Sequence, residues 1–306
     1  MTLCLSLPDE QTLARYTDLP DVELVLWDFR GPAPQGPPID LAVRPYVLKS
    51  DLSVLDAERV RAVQTQSLGY DDAIGKVPEG ITWCNAVGVH EGPTAEIAVA
   101  LLLAAQRGID HFARAMPEGR WEPRPMRHGL LGSRVLLVGY GGIGQETHRR
   151  LDGFGVEIVR VASRARSDEH GPVHGIDEIG DLLPDADAVI VAVPYSAATH
   201  HLVDDAFLSA MAEGAVLVNV ARGKVADTDA LVRHAASGHV RIASDVFDPE
   251  PLPADHPLWT TPGVLVSPHV GGAVTTWADR VETLVRRQVA HLQAGEQLEC
   301  VVDVSG

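Results

Sequence analysis

At 306 residues the chain is long enough for two domains or one large α/β domain with an ample core. Its 45% apolar and 22% charged residues suit a soluble globular protein, and a formal charge of −17 argues against a nucleic-acid or anionic-membrane surface, which needs a basic patch. Cys4, Cys84 and Cys300 are far apart and in no CxxC pattern, which argues against a disulfide framework and points to a reducing cytoplasm.

No basic n-region and apolar run opens the chain, and Pro8, Asp9 and Glu10 come too early for a signal peptide. Residues 22–27 predict a strand, and Asp40 to Leu48 contains a second. Between them, residues 31–38 are too rich in Pro and Gly for regular structure. Asp56 to Val63 predicts a short helix, Ala62 to Ser67 a strand ending at Leu68-Gly69, and Ile81 to Asn85 another strand. Thr94 is expected to cap an apolar helix running to about Arg107, too short to span a bilayer.

After polar residues 117–129, a β-rich run (Val135 to Val138) stops at Gly139-Tyr140-Gly141-Gly142-Ile143-Gly144, and a helix opens with Ile143, Thr147 and Leu151 on one face. A G-x-G-x-x-G turn between strand and helix suits a pyrophosphate. Gly139 allows the tight turn, Gly141 lets the backbone approach the phosphates, and Gly144 lets helix and strand pack closely. Taken alone the hexad is also an ordinary glycine-rich turn; the strand before and the helix after favour a dinucleotide site.

Further units follow at βαβ spacing. Strands are expected at 156–162, 188–193 (ended by Pro194), 215–220, 241–244 and 264–267, and helices at 176–183, 207–211 and 229–236. Their near-continuous apolar runs suit parallel strands buried on both faces. A long helix, Thr275 to Ala294, and a strand-like Cys300 to Val302 end the chain. The mid-chain fingerprint predicts a dinucleotide-binding domain at 94–275 and a substrate domain split around it, 1–93 with 276–306. Both are expected to be Rossmann-like, doubly wound parallel sheets of an α/β protein.

Polar clusters stand at three strand ends: Asn219 to Gly223, Ser244 to Leu252, and Ser267 to Gly272. In an open parallel sheet such ends line one crevice, so Arg222, Asp245, Glu250 and His269 arriving together predict an acid/base or redox site. Singly, each has a bland reading as a surface charge, a turn cap or a solvated histidine.

With these motifs the chain resembles the D-isomer-specific 2-hydroxyacid dehydrogenases, and within them the glyoxylate/hydroxypyruvate reductases. The likeness spans Leu68 to Asp71, Asn85 to Glu96, Gly139 to Gly144, Asn219 to Gly223, Asp245 to Glu250 and Pro268-His269. It implies hydride transfer between a nicotinamide cofactor and a small 2-oxo or D-2-hydroxy acid. Arg222 would clamp the substrate carboxylate and 2-oxo oxygen, with backbone N–H groups of Leu68 and Gly69 adding to the carboxylate site. His269 would be the acid/base, Glu250 would orient its ring and favour the imidazolium, and Asp245 would hold the nicotinamide end. The cofactor set expected is Gly139, Gly141, Gly142, Ile143, Gly144, Ser163, Arg164, Val193, Pro194, Val220 and Asp245, with no metal.

NAD-binding members place an acid at the end of the second strand to bind the adenosine 2′-OH. Here that position is Ala162, followed by Ser163 and Arg164, so NADP(H) is favoured over NAD(H). Leu68 stands where phosphite-oxidising relatives carry Lys, and Glu250 where formate dehydrogenases carry Gln. No regulatory domain is expected after residue 306. His170, His174 and the His200-His201 pair lack a completing carboxylate or Cys for metal. Trp121 is expected to be a packing or dimer-contact aromatic, Tyr46 is a candidate pocket wall, and Trp277 either reaches the cleft or is a core residue at a helix start. A cytoplasmic homodimer binding neither nucleic acid nor membrane is expected. The alternative is a dinucleotide-sensing, co-repressor-like binding protein of the same fold.

Overall fold

Strands buried on both faces need an apolar side chain at nearly every position, and residues 135–138, 188–191 and 216–219 meet that condition, all of them buried. The computed structural model describes residues 2–46, 50–123 and 126–305. In chain order the elements are β1 (Leu3–Leu7), α1 (Glu10–Leu13), β2 (Val22–Leu26), β3 (Leu41–Val43), β4 (Ala62–Gln64), β5 (Thr82–Cys84), α2 (Glu91–Arg107) and α3 (Ile109–Ala115). They continue with β6 (Arg134–Val138), α4 (Gly142–Leu151), β7 (Glu157–Ala162), β8 (Arg166–Asp168), β9 (Gly171–Gly175), α5 (Ile179–Leu182) and β10 (Ala188–Val191). The last are α6 (Asp205–Ala210), β11 (Val216–Asn219), α7 (Thr228–Ser237), β12 (Arg241–Ser244), β13 (Val264–Val266) and α8 (Trp277–Ala294). Two units divide the chain: Met1–His90 with Val274–Gly306, and Glu91–Ala273.

The first unit holds a five-stranded parallel sheet in the order β2-β1-β3-β4-β5. Helix α8 buries Val281, Leu284, Val285, Gln288 and Val289, one stripe at helical spacing, against Leu3, Leu5, Leu7 and Leu41. Gln288 is polar within this stripe, and its Nε2 donates to Gln64 Oε1 at 2.8 Å and to the Glu299 carbonyl at 2.9 Å. A buried amide so satisfied costs little.

The second unit holds an eight-stranded sheet in the order β13-β12-β11-β10-β6-β7-β9-β8, parallel except for the antiparallel β8–β9 hairpin. From β6 the chain runs outward through β7 to the hairpin and then returns to β10 on the other side of β6. That reversal is the switch point outside which ligands bind in open α/β sheets. Helices α2 and α4 contribute to the core on one face, and α6 and α7 to the core on the other.

Two local expectations are corrected, and two unexpected elements appear. Strand β1 was not predicted, although Leu3, Leu5 and Leu7 alternate at period two. The helix expected at Asp56 to Val63 does not form. Asp56 Oδ1 accepts the Glu58 N–H at 2.9 Å, and the Asp56 carbonyl accepts from Arg59 and Val60, so the chain turns there and Val60 bridges to Ile39. Helix α2 begins at Glu91, so Thr94 lies inside it and is no cap. Pro93 is tolerated in the first turn, where backbone N–H groups lack helical acceptors. Lastly, β8 and β9 add a hairpin that no sequence signal announced. The strand expected within Asp40 to Leu48 is β3; Leu48 itself lies outside the described residues.

Candidate active site

The glycine loop joins β6 to α4, and each glycine has its own reason. Gly139 has φ +107°, and a Cβ there would lie 2.6 Å from the Ala192 carbonyl carbon just past β10. A Cβ at Gly144 would lie 2.2 Å from the Gly139 oxygen, so helix and strand could not pack as they do. Gly141 differs: nothing stands within 4 Å of the Cβ it lacks, and it caps α4 without any side-chain hydrogen bond. No acidic side chain lies in the first turn of α4. Gly141 thus leaves room beside the side-chain-uncapped N-terminus of α4 at the switch point, which fits a dinucleotide pyrophosphate. Gly142 backs onto Glu91, and Ile143 packs into the core beneath. Gly144→Ala is expected to destabilise the second unit by about 1–3 kcal/mol through overpacking against backbone. Thermal unfolding should show a lowered midpoint, and an unchanged midpoint would refute the contact.

The three polar strand ends meet through backbone and side-chain bonds. After β11, Asn219 Oδ1 accepts the Ala221 N–H at 3.0 Å and its Nδ2 donates to the Arg222 carbonyl at 3.2 Å, which shapes the turn that presents Arg222. A Cβ at Gly223 would lie 1.8 Å from the Phe247 oxygen, so the loops after β11 and β12 touch backbone to backbone. Val220 is buried beside them, while Val193 and Pro194, after β10, are half-buried and exposed.

Asp245, 2% exposed, is bonded to the loop after β13. Its Oδ1 accepts from Ser267 Oγ at 2.5 Å and the Val270 N–H at 2.9 Å, and its Oδ2 accepts the Gly271 N–H at 2.8 Å. The His269 N–H donates to the Asp245 carbonyl at 2.8 Å. His269 takes a left-handed φ of +56°, uncommon for a side-chain-bearing residue, and these bonds on both sides hold it there.

His269 Nδ1 lies 2.8 Å from Glu250 Oε2, and Glu250 Oε1 accepts the Phe247 N–H at 2.8 Å. A carboxylate at Nδ1 places a proton there and leaves Nε2 to exchange one. The Glu250 hydrogen bond raises the imidazole pKa above its ordinary value, against the opposing effect of burial. Burial acts to raise the Glu250 pKa, but the His269 and Phe247 hydrogen bonds outweigh it and hold the carboxyl below the ordinary range. Arg222 lowers both pKa values by its charge, so all three groups share one electrostatic neighbourhood.

At the end of β7 stands Ala162, with Ser163 and Arg164 exposed after it. Arg166 was not among the predicted site residues, yet its Nη2 donates to the Tyr140 carbonyl inside the glycine loop at 2.8 Å. Its alternation with Arg164 was the available signal. In the first unit, Leu68 and Gly69 follow β4, and side chains hold both carbonyls: Asn85 Nδ2 at Leu68, 3.0 Å, and Ser67 Oγ at Gly69, 2.9 Å. Tyr46 stacks between His90 and Trp277, with ring centroids at 5.5 and 4.8 Å.

Residues 99–271 match the model of the D-isomer specific 2-hydroxyacid dehydrogenase NAD-binding domain. The glyoxylate reductase of Thermococcus kodakarensis is 34% identical over 272 residues, 84% of this chain and 81% of that protein. That of Thermofilum pendens is 32% identical over 267 residues, 83% of this chain and 78% of that one. Among solved structures, a D-isomer specific 2-hydroxyacid dehydrogenase from Xanthobacter autotrophicus Py2, in complex with NADPH and MES, aligns with TM-score 0.85 at 24% identity, covering 99% of this chain and 98% of that one. The NADPH-dependent glyoxylate/hydroxypyruvate reductase of Sinorhizobium meliloti, with NADP and sulfate, aligns with TM-score 0.83 at 20% identity over 99% of each chain. At those identities the two structures establish the fold. The family match covers more than half of the chain and the sequence relatives more than two thirds, so this chain belongs to the D-isomer specific 2-hydroxyacid dehydrogenases and is a nicotinamide-dependent oxidoreductase of small 2-oxo and 2-hydroxy acids.

Proposed function

We propose that the chain is an NADPH-preferring reductase of small 2-oxo acids, a cytoplasmic homodimer, with Arg222, Glu250 and His269 as its catalytic residues. The observation that carries this reading is the His269–Glu250 pair at 2.8 Å beside Arg222. When bound, the reduced nicotinamide supplies the hydride. His269 Nε2–H donates a proton to the 2-oxo oxygen as that oxygen gains charge, and Glu250 stabilises the imidazolium until it does. Arg222 binds the substrate carboxylate and the 2-oxo oxygen with its planar fork. Each N–H shares a peptide plane with the preceding carbonyl. The Ser67 carbonyl, held by Thr65 Oγ1 at 2.9 Å, therefore directs the Leu68 N–H, and the Leu68 carbonyl, held by Asn85 Nδ2 at 3.0 Å, directs the Gly69 N–H, and both add to the carboxylate site. Asp245 uses three of about four acceptor positions on the His269 loop, and the fourth serves the nicotinamide end.

Gly139, Gly141, Gly142, Ile143 and Gly144 form the pyrophosphate cradle, and Val193, Pro194 and Val220 line the cofactor's path across the strand ends. The Met1–His90 and Val274–Gly306 unit is the substrate domain and Glu91–Ala273 the cofactor domain. Ala162 removes the carboxylate that would repel a 2′-phosphate, and Ser163, Arg164 and Arg166 supply donors for it. Arg164→Ala is expected to raise the KM for NADPH about tenfold or more, as loss of a charge-assisted hydrogen bond does, and to leave NADH nearly untouched. Equal losses for both cofactors would reject the 2′-phosphate assignment.

The homodimer reading rests on Met116, Trp121, Met126 and Leu131, large apolar side chains exposed within one short segment, Trp121 at 88%. Sedimentation at micromolar concentration should give a dimer, and a monomer would reject it. The activity itself is tested by NADPH absorbance with glyoxylate, hydroxypyruvate, pyruvate and bulkier 2-oxo acids; reduction of none of them overturns the reading. No observation favours the co-repressor-like alternative.

A further inference from the structure

Arg160 is a charged residue in the middle of β7, its side chain only 3% exposed. Its fork reaches both strands of the β8–β9 hairpin: Nη1 donates to Asp168 Oδ1 at 2.6 Å and Nη2 to the Pro172 carbonyl at 3.0 Å. The same guanidinium lies 5.0 Å from the centroid of the Tyr140 ring. Tyr140 is the second residue of the glycine loop, and Arg166 of β8 donates to its carbonyl. Two arginines from neighbouring segments thus grip one residue of the fingerprint, one by its ring and one by its backbone. Asp168 Oδ1 also accepts the His170 N–H at 2.9 Å and so closes the hairpin turn.

Strand β8 has three residues, all exposed, and among the described residues its only ladder partner is β9. A two-stranded hairpin of that length is marginal on its own. The Arg160 fork ties both strands of the hairpin to the body of the sheet, beside the β7–β9 ladder and the Arg166–Tyr140 bond, and the segment it secures carries Arg164 and Arg166. A buried cation is costly unless paired, and when paired it specifies one arrangement closely.

We propose that Arg160 and Asp168 are positioning residues for 2′-phosphate recognition: their pair fixes the Arg164–Arg166 segment against the glycine loop. This rests on the NADPH reading above. The role is separable from simple electrostatics because the two predict opposite signs. Removing the Asp168 charge leaves the neighbourhood more positive, which by Coulomb attraction alone strengthens binding of a phosphate. Loosening the hairpin weakens it.

The test is titration calorimetry of the full-length protein with 2′,5′-ADP and with 5′-AMP, neither of which requires turnover. For Asp168→Asn, 2′,5′-ADP is expected to bind about tenfold more weakly, the scale of one lost hydrogen bond to a charged group, with 5′-AMP unchanged. Arg160→Lys keeps the charge but cannot hold Asp168 and Pro172 together, and should act in the same direction. The KM for NADPH should rise in both variants while that for NADH stays put. Tighter or unchanged 2′,5′-ADP binding in both variants overturns the inference, as does an equal loss of both ligands. A wild type with no preference for 2′,5′-ADP over 5′-AMP overturns the NADPH reading and this inference together; a preference that survives both substitutions overturns this inference alone.

Discussion

His269→Ala is expected to lower kcat for 2-oxo acid reduction by about 10³-fold, within the ~10²–10⁴ that a positioned general acid contributes. The KM for NADPH should hold, because in the proposed mechanism His269 serves the reacting oxygen and no part of the pyrophosphate cradle. The pH profile gives a second, independent reading. Reduction needs the imidazolium, whose pKa is raised chiefly by the Glu250 hydrogen bond. Activity is therefore full below the raised pKa and falls as pH climbs through it, while oxidation of the hydroxy acid rises over the same window. Glu250→Gln keeps the shape of the side chain and removes its charge, so the alkaline limb of reduction should move to lower pH. Folding stability follows the same linkage. The His269 contribution is present below about pH 6.5 and is lost as pH rises through the raised folded value. The Glu250 contribution is present above the unfolded carboxyl pKa, about 4.3, and is lost as pH falls through the depressed folded value. A reduction profile in Glu250→Gln that matches wild type, or turnover in His269→Ala within about tenfold of wild type, removes the pair from the mechanism.

The parts of this site that could be read in advance are those where a period breaks. Apolar runs stop at Asn219, Ser244 and Ser267, and β12 occupies Arg241–Ser244 as the pattern predicts. The hexad spacing also marks the glycines: Gly144 answers to a contact within its own βα unit, whereas the contact of Gly139 with Ala192 beside β10 could not be read from the spacing. What was hidden depends on partners distant in sequence. The acceptors of Asp245 meet donors 22 to 26 residues later, so nothing near Asp245 reveals that it braces the His269 loop. Arg160, in the run Glu157-Ile158-Val159-Arg160, reads as an outward charge on a strand, yet the hairpin folds over it. Thr94, expected as a cap, lies inside α2 because the first turn accepts Pro93. Local chemistry was legible, and orientation imposed by distant backbone was not.

Arg222→Met should lower kcat/KM for 2-oxo acids by about 10²–10⁴-fold, the scale of truncating one partner of a desolvated charge pair. Arg222→Lys should lie between, since an ammonium keeps the charge but not the fork that spans a carboxylate and a carbonyl oxygen. Placement of Arg222 depends on the Asn219 side chain, which engages the backbone on both sides of the Ala221–Arg222 bond, and on Gly223 lying against Phe247. Two readouts separate a substrate clamp from a structural residue. First, pyruvate and its uncharged amide should differ strongly in kcat/KM for the wild type and much less for Arg222→Met, because the cycle isolates the arginine–carboxylate coupling. Second, Arg222 depresses the His269 pKa by its charge, so its loss should move the alkaline limb to higher pH, opposite to Glu250→Gln. If Arg222→Met keeps the full discrimination between acid and amide, the carboxylate is bound elsewhere and the proposed clamp is wrong.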